Sequence, residues 1–267
     1  MKKTVLFAIA ALTLCLLPGC SKKTVRGEFT VEAGKLKIGC EVGYPPFEYY
    51  SEDGKTALGF DIELGNEIAR RLSLEPQVID TAWDGIFAGL DTERYDIIIS
   101  AVSVLPERQE KYDFSVPYIG NGQAVIVRKD SELKVNTLKD LEGKKLAYQS
   151  QCSSDFFINK KAEEERFSFI PCSYDKILNA YDDLRLGRAD AVISDTLVAI
   201  DYLTAENSEF KQVWKGVSDD YFGICAKKGN KVLVEKINSI IEEMKADGTM
   251  KALYEKVFKM DLSDSIK

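Results

Sequence analysis

The sequence predicts a two-lobed α/β protein, each lobe a mainly parallel sheet with flanking helices, the lobes joined by two crossover strands. Three observations predict it. Short apolar runs alternate with helical segments of 3.6-residue period, the pattern of strands and covering helices. That pattern runs through twice, once on each side of "SVPYIGNGQAVIVRKD". Late in the chain "YFGICAKKG" repeats the character of "GQAVIVRKD", an apolar strand closed by basic residues, so the chain crosses between the lobes twice.

The elements follow in order. "KLKIGC" reads as a strand and "EVGYPPFEYYSEDGKTALG" as a long loop, because Pro45-Pro46 opposes a helix and "EDGK" signals a turn. "FDIELGNEIARRLSL" is an amphipathic helix with Ile62, Leu64, Ile68 and Leu72 on its apolar face and Asp61 as its cap. "PQVID" is a strand, "AWDGIFAGLDTER" a short helix and "YDIIIS" a buried strand. In the second unit "KKLAYQS", "RFSFIP" and "ADAVIS" are strands. "SSDFFINKKAEEE", "SYDKILNAYDDLRLGR" and "DTLVAIDYL" are the helices between and after them. "FKQVWKG" is a further strand, and two helices, "KVLVEKINSIIEEMKADG" and "TMKALYEKVF", follow the second crossover. These readings place one lobe at residues 35–122 and 226–262, and the other, with the hinge strands, at 123–225.

Ahead of the folded part, "MKKTVLFAIAALTLCLLPGCSKK" has two lysines, an apolar run too short to span a bilayer comfortably, and a cysteine where cleavage should fall. Residues 1–19 therefore read as a lipoprotein signal peptide resembling a bacterial lipobox, with Cys20 as the acylated first residue and 20–34 as a polar tether. An ordinary secretory signal with an incidental cysteine is the alternative. The expected location is extracytoplasmic, anchored by lipid to a bacterial membrane. Four further cysteines, Cys40, Cys152, Cys172 and Cys225, fit no metal or redox spacing. Cys152 and Cys172, each after an apolar strand of one half, are the better candidate disulfide, with free buried thiols as the rival.

Composition narrows the function. The 267 residues carry a formal net charge of −7, which argues against a nucleic-acid partner. There is no histidine, so imidazole-dependent triads and imidazole metal sites are excluded. No metal, no cofactor and no catalysis are expected, and the protein is expected to be a monomer.

The strand ends face the cleft between lobes, where open α/β sheets bind ligands. They carry Glu41 and Tyr44, then Trp83, then Ser100, Ser103 and Arg108; the second half adds Ser153 and Asp195. A guanidinium with hydroxyls suits a carboxylate, and a carboxylate suits an ammonium, so this set suits an amino-acid zwitterion. Each residue also has a plain structural reading: Arg108 as a charged surface turn, Asp195 as a helix cap, Tyr44 and Trp83 as packing, Glu41 as a loop-edge charge. The joint placement at strand ends favours the site.

The segments "YPPFEYYSEDGKTALGFDIELGNEIARRL", "WDGIFAGLDTERYDIIISAVSVLPERQEKYDFSVPY" and "GRADAVISD" resemble the bacterial extracytoplasmic solute-binding proteins for polar amino acids, family 3, across about Lys35 to Phe258. The resemblance implies the type II periplasmic-binding-protein fold and a partnership with the membrane permease of an ABC importer. It assigns Arg108 to the ligand α-carboxylate, with Ser100, Ala101 and Ser103 assisting, and Asp195 to the α-ammonium. Tyr44 and Trp83 enclose the side chain. Where relatives carry a glycine-containing "GTT"-like turn, this chain has Gln151, Cys152 and Ser153; Ala101 stands where a hydroxyl is frequent. Glu41 sits where binders of basic amino acids carry an acid, which favours arginine or lysine. Cystine, glutamine and histidine binders share most of the frame, and a dehydratase on the same fold is the enzymatic alternative.

Overall fold

A computed structural model describes residues 26–217 and 219–266. The expected signal peptide 1–19, the expected lipidation site Cys20 and the first part of the expected tether lie outside the described residues. The rest of the expected tether is not free. Val31 N–H donates to Asp96, Arg26 pairs with Glu93 at 2.8 Å, and Thr30 is buried, so 26–34 pack onto the first lobe.

The first lobe opens with β1 (Lys35–Cys40), a small hairpin β2 (Tyr49–Tyr50) and β3 (Ala57–Leu58), then α1 (Phe60–Arg71), β4 (Glu75–Asp80), α2 (Trp83–Asp91) and β5 (Ile97–Ile98). A short helix α3 (Pro106–Gln109) leads into β6 (Tyr112–Phe114). The first hinge strand β7 (Ile119–Asn121) feeds β8 (Gln123–Arg128) of the second lobe, followed by β9 (Lys145–Gln149), α4 (Ser153–Glu165), β10 (Ile170–Tyr174), α5 (Ile177–Arg185), β11 (Ala191–Asp195), α6 (Thr196–Thr204) and β12 (Phe210–Lys215). The second hinge strand β13 (Asp220–Phe222) returns the chain to β14 (Cys225–Lys227), α7 (Lys231–Ala246) and α8 (Thr249–Phe258).

The two sheets have matching orders, β4-β1-β5-β14-β6 and β10-β9-β11-β8-β12. In each, β14 or β8 runs against the other strands, so half of the pairings are antiparallel, while the remaining four strands of each sheet run the same way, as expected. The reversed strand is in both cases the one a hinge strand delivers. The hinge strands pair with each other, Asn121 opposite Asp220 and Ile119 opposite Phe222. Two boundaries therefore move. The hinge begins at Ile119, and Cys225 lies in the first lobe's sheet, because β14 needs β5 and β6 as neighbours.

β8 shows why these apolar runs form central strands. Val125 and Val127 pack with Leu146, Tyr148 and Ile158 on one face, while Ala124 and Ile126 join the α5–α6 side on the other. That is two-sided burial with a period of two. In the first lobe Phe60 stacks on Tyr254 at 5.5 Å and meets Phe258 at 5.4 Å, tying α1 to α8.

Three local expectations are corrected. Asp61 does not cap α1: the helix starts after Gly59, and its first amides, Phe60 and Asp61 N–H, donate to the carbonyls of Pro46 and Phe47. A β-carbon on Gly59, whose φ is +123°, would sit 2.2 Å from Phe47 O, so this entry requires glycine. The strand read as "RFSFIP" falls later, at Ile170–Tyr174, in parallel register with β9. Cys152 and Cys172 are not joined; the four cysteines among the described residues are free thiols. Cys172 lies on the edge strand β10 opposite Ala147, whereas Cys152 sits at the N-cap of α4 among first-lobe residues such as Trp83, donating to Gln149 O at 3.0 Å.

Candidate functional site

Arg108 is held by α3, which Pro106 starts at a position suited to proline. Its side chain is 9% exposed, so the surface-turn reading fails. Nη1 donates to Ser103 O at 3.1 Å and Nη2 to Gln151 O of the other lobe at 3.2 Å. The guanidinium lies 5.4 Å from the Trp83 ring centre, 5.3 Å from Phe87 and 6.0 Å from Phe156. Burial lowers its pKa from the ordinary value, yet an arginine stays charged under such perturbation.

Asp195 ends β11 and occupies the N-cap of α6, but its side chain makes no cap bond. Instead Oδ1 accepts from Asn121 Nδ2 and Gln123 Nε2, each at 2.7 Å, and from Ser153 Oγ at 3.0 Å; Oδ2 accepts from Tyr44 Oη at 2.5 Å. Burial raises its pKa while these donors hold it down. Beside it stands a second carboxylate. Asp220, on the second hinge strand, accepts from Ser103 Oγ at 2.7 Å and meets Asn121 Nδ2 at 3.5 Å. Burial, and then the charge of Asp195, pushes it up to about 7.

The far end of the cleft belongs to Glu41. Oε1 accepts from the backbone N–H of Trp83, the first residue of α2, at 3.3 Å, and Oε2 accepts from Gln149 Nε2 of the second lobe at 2.6 Å. Trp83 Nε1 in turn donates to Gln151 O at 3.2 Å. Burial raises the Glu41 pKa, and the Lys176 charge works against that rise.

The structure thus gathers Glu41, Tyr44, Trp83, Ser103, Arg108, Ser153 and Asp195, all buried, where the two lobes meet. Ser100 and Ala101 are at the site with their polar groups already committed. The Ser100 hydroxyl donates to Glu48 Oε1 at 2.6 Å, and the Ala101 N–H donates to Asp61 Oδ2 at 2.6 Å. The glycine missing from the second-lobe turn leaves Gln151 in the left-handed region at φ +58°, pinned by its N–H to Asp155 Oδ2 at 2.8 Å. Sequence reasoning missed Asn121, Gln123, Gln149 and Asp220. Asn121 and Gln123 carried a signal, as polar residues inside the apolar run "YIGNGQAVIV". Gln149 ends the buried strand β9, and Asp220 opens β13.

Comparisons with known proteins show the family. The family model described as "Bacterial extracellular solute-binding proteins, family 3" matches residues 36–260. The L-cystine-binding protein TcyJ of Escherichia coli is 34% identical over 259 residues, 96% of each chain. The ABC transporter arginine-binding protein 1 of Escherichia coli is 32% identical over 231 residues, 85% of this chain and 91% of that one. Among solved structures, an ancestral arginine-binding protein bound to arginine matches with TM-score 0.78 and 36% identity, covering 84% of this chain and 98% of its own. The chain belongs to the bacterial extracellular solute-binding proteins of family 3, with their type II fold, and is a binding protein rather than an enzyme.

Proposed function

We propose that the protein captures a free L-amino acid between its lobes and presents it to the permease of an ABC importer. One observation carries this reading. Arg108 of the first lobe and Asp195 of the second are both buried at one cleft, and neither has an ion-pair partner among the described residues. Buried charges of opposite sign that are satisfied only by neutral groups call for a ligand bearing the complementary pair. The ligand carboxylate takes Arg108 in place of Gln151 O, and the ammonium takes Asp195 in place of the Tyr44 hydroxyl. A ligand held from both lobes favours the closed state by its differential contacts.

The side chain runs between Tyr44 and Trp83 toward Glu41, which favours arginine or lysine. Cystine is the second reading, and a specific observation supports it. Lys176 lies within electrostatic reach of Glu41, and its Nζ comes near Gly43. A cation beside an anion suits the second zwitterion of cystine and opposes a lone distal cation. A thermal-shift screen of the twenty amino acids with ornithine and cystine tests both, since a ligand that binds only the folded state raises the midpoint. The largest rise with arginine or lysine supports the first reading, and with cystine the second. No rise with any of them would contradict amino-acid capture.

We assign membrane attachment to a lipid on Cys20, supported by the signal pattern of residues 1–19. Fatty-acid labelling of whole cells should mark the wild-type chain and leave Cys20→Ser unlabelled.

A further inference from the structure

Two fully buried carboxyl groups, Glu48 and Asp61, lie directly behind the Ser100–Ala101 turn. Glu48 Oε1 accepts the Ser100 hydroxyl at 2.6 Å, and the Ser100 oxygen accepts Glu41 N–H at 3.0 Å. Asp61 Oδ2 accepts Ala101 N–H at 2.6 Å and Tyr118 Oη at 3.0 Å. One oxygen of each acid, Glu48 Oε2 and Asp61 Oδ1, is buried with no hydrogen-bond partner, and the two side chains lie within reach of each other. Neither carboxyl has a cationic partner among its hydrogen bonds. Two adjacent buried carboxylates repel, and one proton between their free oxygens removes the second charge and satisfies both atoms.

We infer that Glu48 and Asp61 share a single proton, and that this acid pair is the positioning element that holds the Ser100–Ala101 turn beneath the ligand. Ala101 adopts φ +46°, a conformation unfavourable for a residue with a β-carbon, and it persists because Asp61 grips its N–H. The Ser100 proton is committed to Glu48 and its oxygen accepts the Glu41 N–H, so Ser100 braces the turn rather than donating to a ligand. The ligand part of this inference rests on the amino-acid reading above; the shared proton does not.

The groups facing the pair are Cys40 at the end of β1, Glu41 and Tyr44 from the following loop, and Tyr118 ahead of β7. Burial, and then the Asp61 charge, raises Glu48 well above the carboxylate range; burial pushes Asp61 up to about 7. The folded state therefore keeps a proton that the unfolded chain releases above the ordinary carboxylate range. The pair's contribution to stability is full at low pH and is lost as pH rises toward 7 and beyond.

The test compares wild type with Glu48→Gln and Glu48→Ala. A glutamine mimics the protonated acid: its amide donates to Asp61 and its carbonyl accepts from Ser100, with no proton to lose. From pH 5 to 7, ligand-free unfolding constants should rise about tenfold more per pH unit for wild type than for Glu48→Gln, the signature of one proton. In calorimetry at pH 6 with L-arginine and L-cystine as probes, Glu48→Gln should keep the wild-type affinity within about threefold, while Glu48→Ala loses at least about tenfold. Parallel pH slopes for wild type and Glu48→Gln would overturn the shared proton. Equal losses in the two variants would overturn the positioning role. If neither probe binds wild type, the ligand assignment fails, and the pH slopes alone decide the pair.

Discussion

At Glu41 a single carboxylate satisfies the first free amide of α2 and clasps Gln149 across the cleft, so a ligand side chain reaching it competes with two hydrogen bonds. If the ligand is arginine or lysine, Glu41→Gln removes the distal counter-charge. Affinity for those two should fall by at least about tenfold, the scale of a partly buried charge-assisted bond. Cystine should then lose more from Lys176→Ala than arginine does. An unchanged preference order across both variants, read by calorimetry, would show that neither residue reads the side chain. Arg108 and Asp195 were legible because each follows an apolar strand, where a parallel sheet exposes its edge to a cleft. Asp61 was misread because an acid in the first turn of a helix looks the same whether it caps or turns inward. Only the partner on a distant segment, here the Ala101 amide, decides between them.

Among the elements, the apolar runs with clear period were placed well, and the exceptions have physical causes. β10 is a sheet-edge strand with Ile170 half exposed, so its hydrophobic content marks its position poorly, and the apolar run "RFSFIP" begins ahead of it. The hairpin β2–β3 has only two residues in each strand, too few for any alternation to reveal it. The entry to α1 depends on backbone contacts that leave only a glycine as their trace. Gly59→Ala tests that account: the added carbon meets backbone, which cannot yield cheaply, at an unfavourable φ. Denaturant unfolding should show a loss of more than about 2 kcal/mol. A loss within a few tenths would mean that the turn relaxes. Gly120 has a similar role at the hinge, where a β-carbon would lie 1.9 Å from Ser265 O and the amide donates to Ser265 Oγ at 3.0 Å. The chain beyond α8 thus returns to cover the crossover, a contact between distant segments that no local pattern reports.

Across the whole molecule, the lobes meet through Tyr44–Asp195, Glu41–Gln149 and the two donors to Gln151 O. The paired hinge strands β7 and β13 are the connection about which they can turn. Tyr44→Phe removes the shortest of these cross-lobe bonds and should shift the ligand-free protein toward the open form. Small-angle scattering should then give a larger radius of gyration without ligand and the wild-type value with saturating ligand. The two-lobe plan was legible because its repeat is written twice in the sequence; the cross-lobe latch was not, because it joins residues that only the fold brings together. The central claim is that a zwitterion completes the buried Arg108–Asp195 pair. Calorimetric titration of wild type, Arg108→Ala and Asp195→Asn with the amino acid that most raises the wild-type midpoint tests it most directly. Single-site binding to wild type and at least about a hundredfold weakening in both variants, with circular dichroism unchanged, is the expected result. Near-wild-type affinity in either folded variant would contradict it.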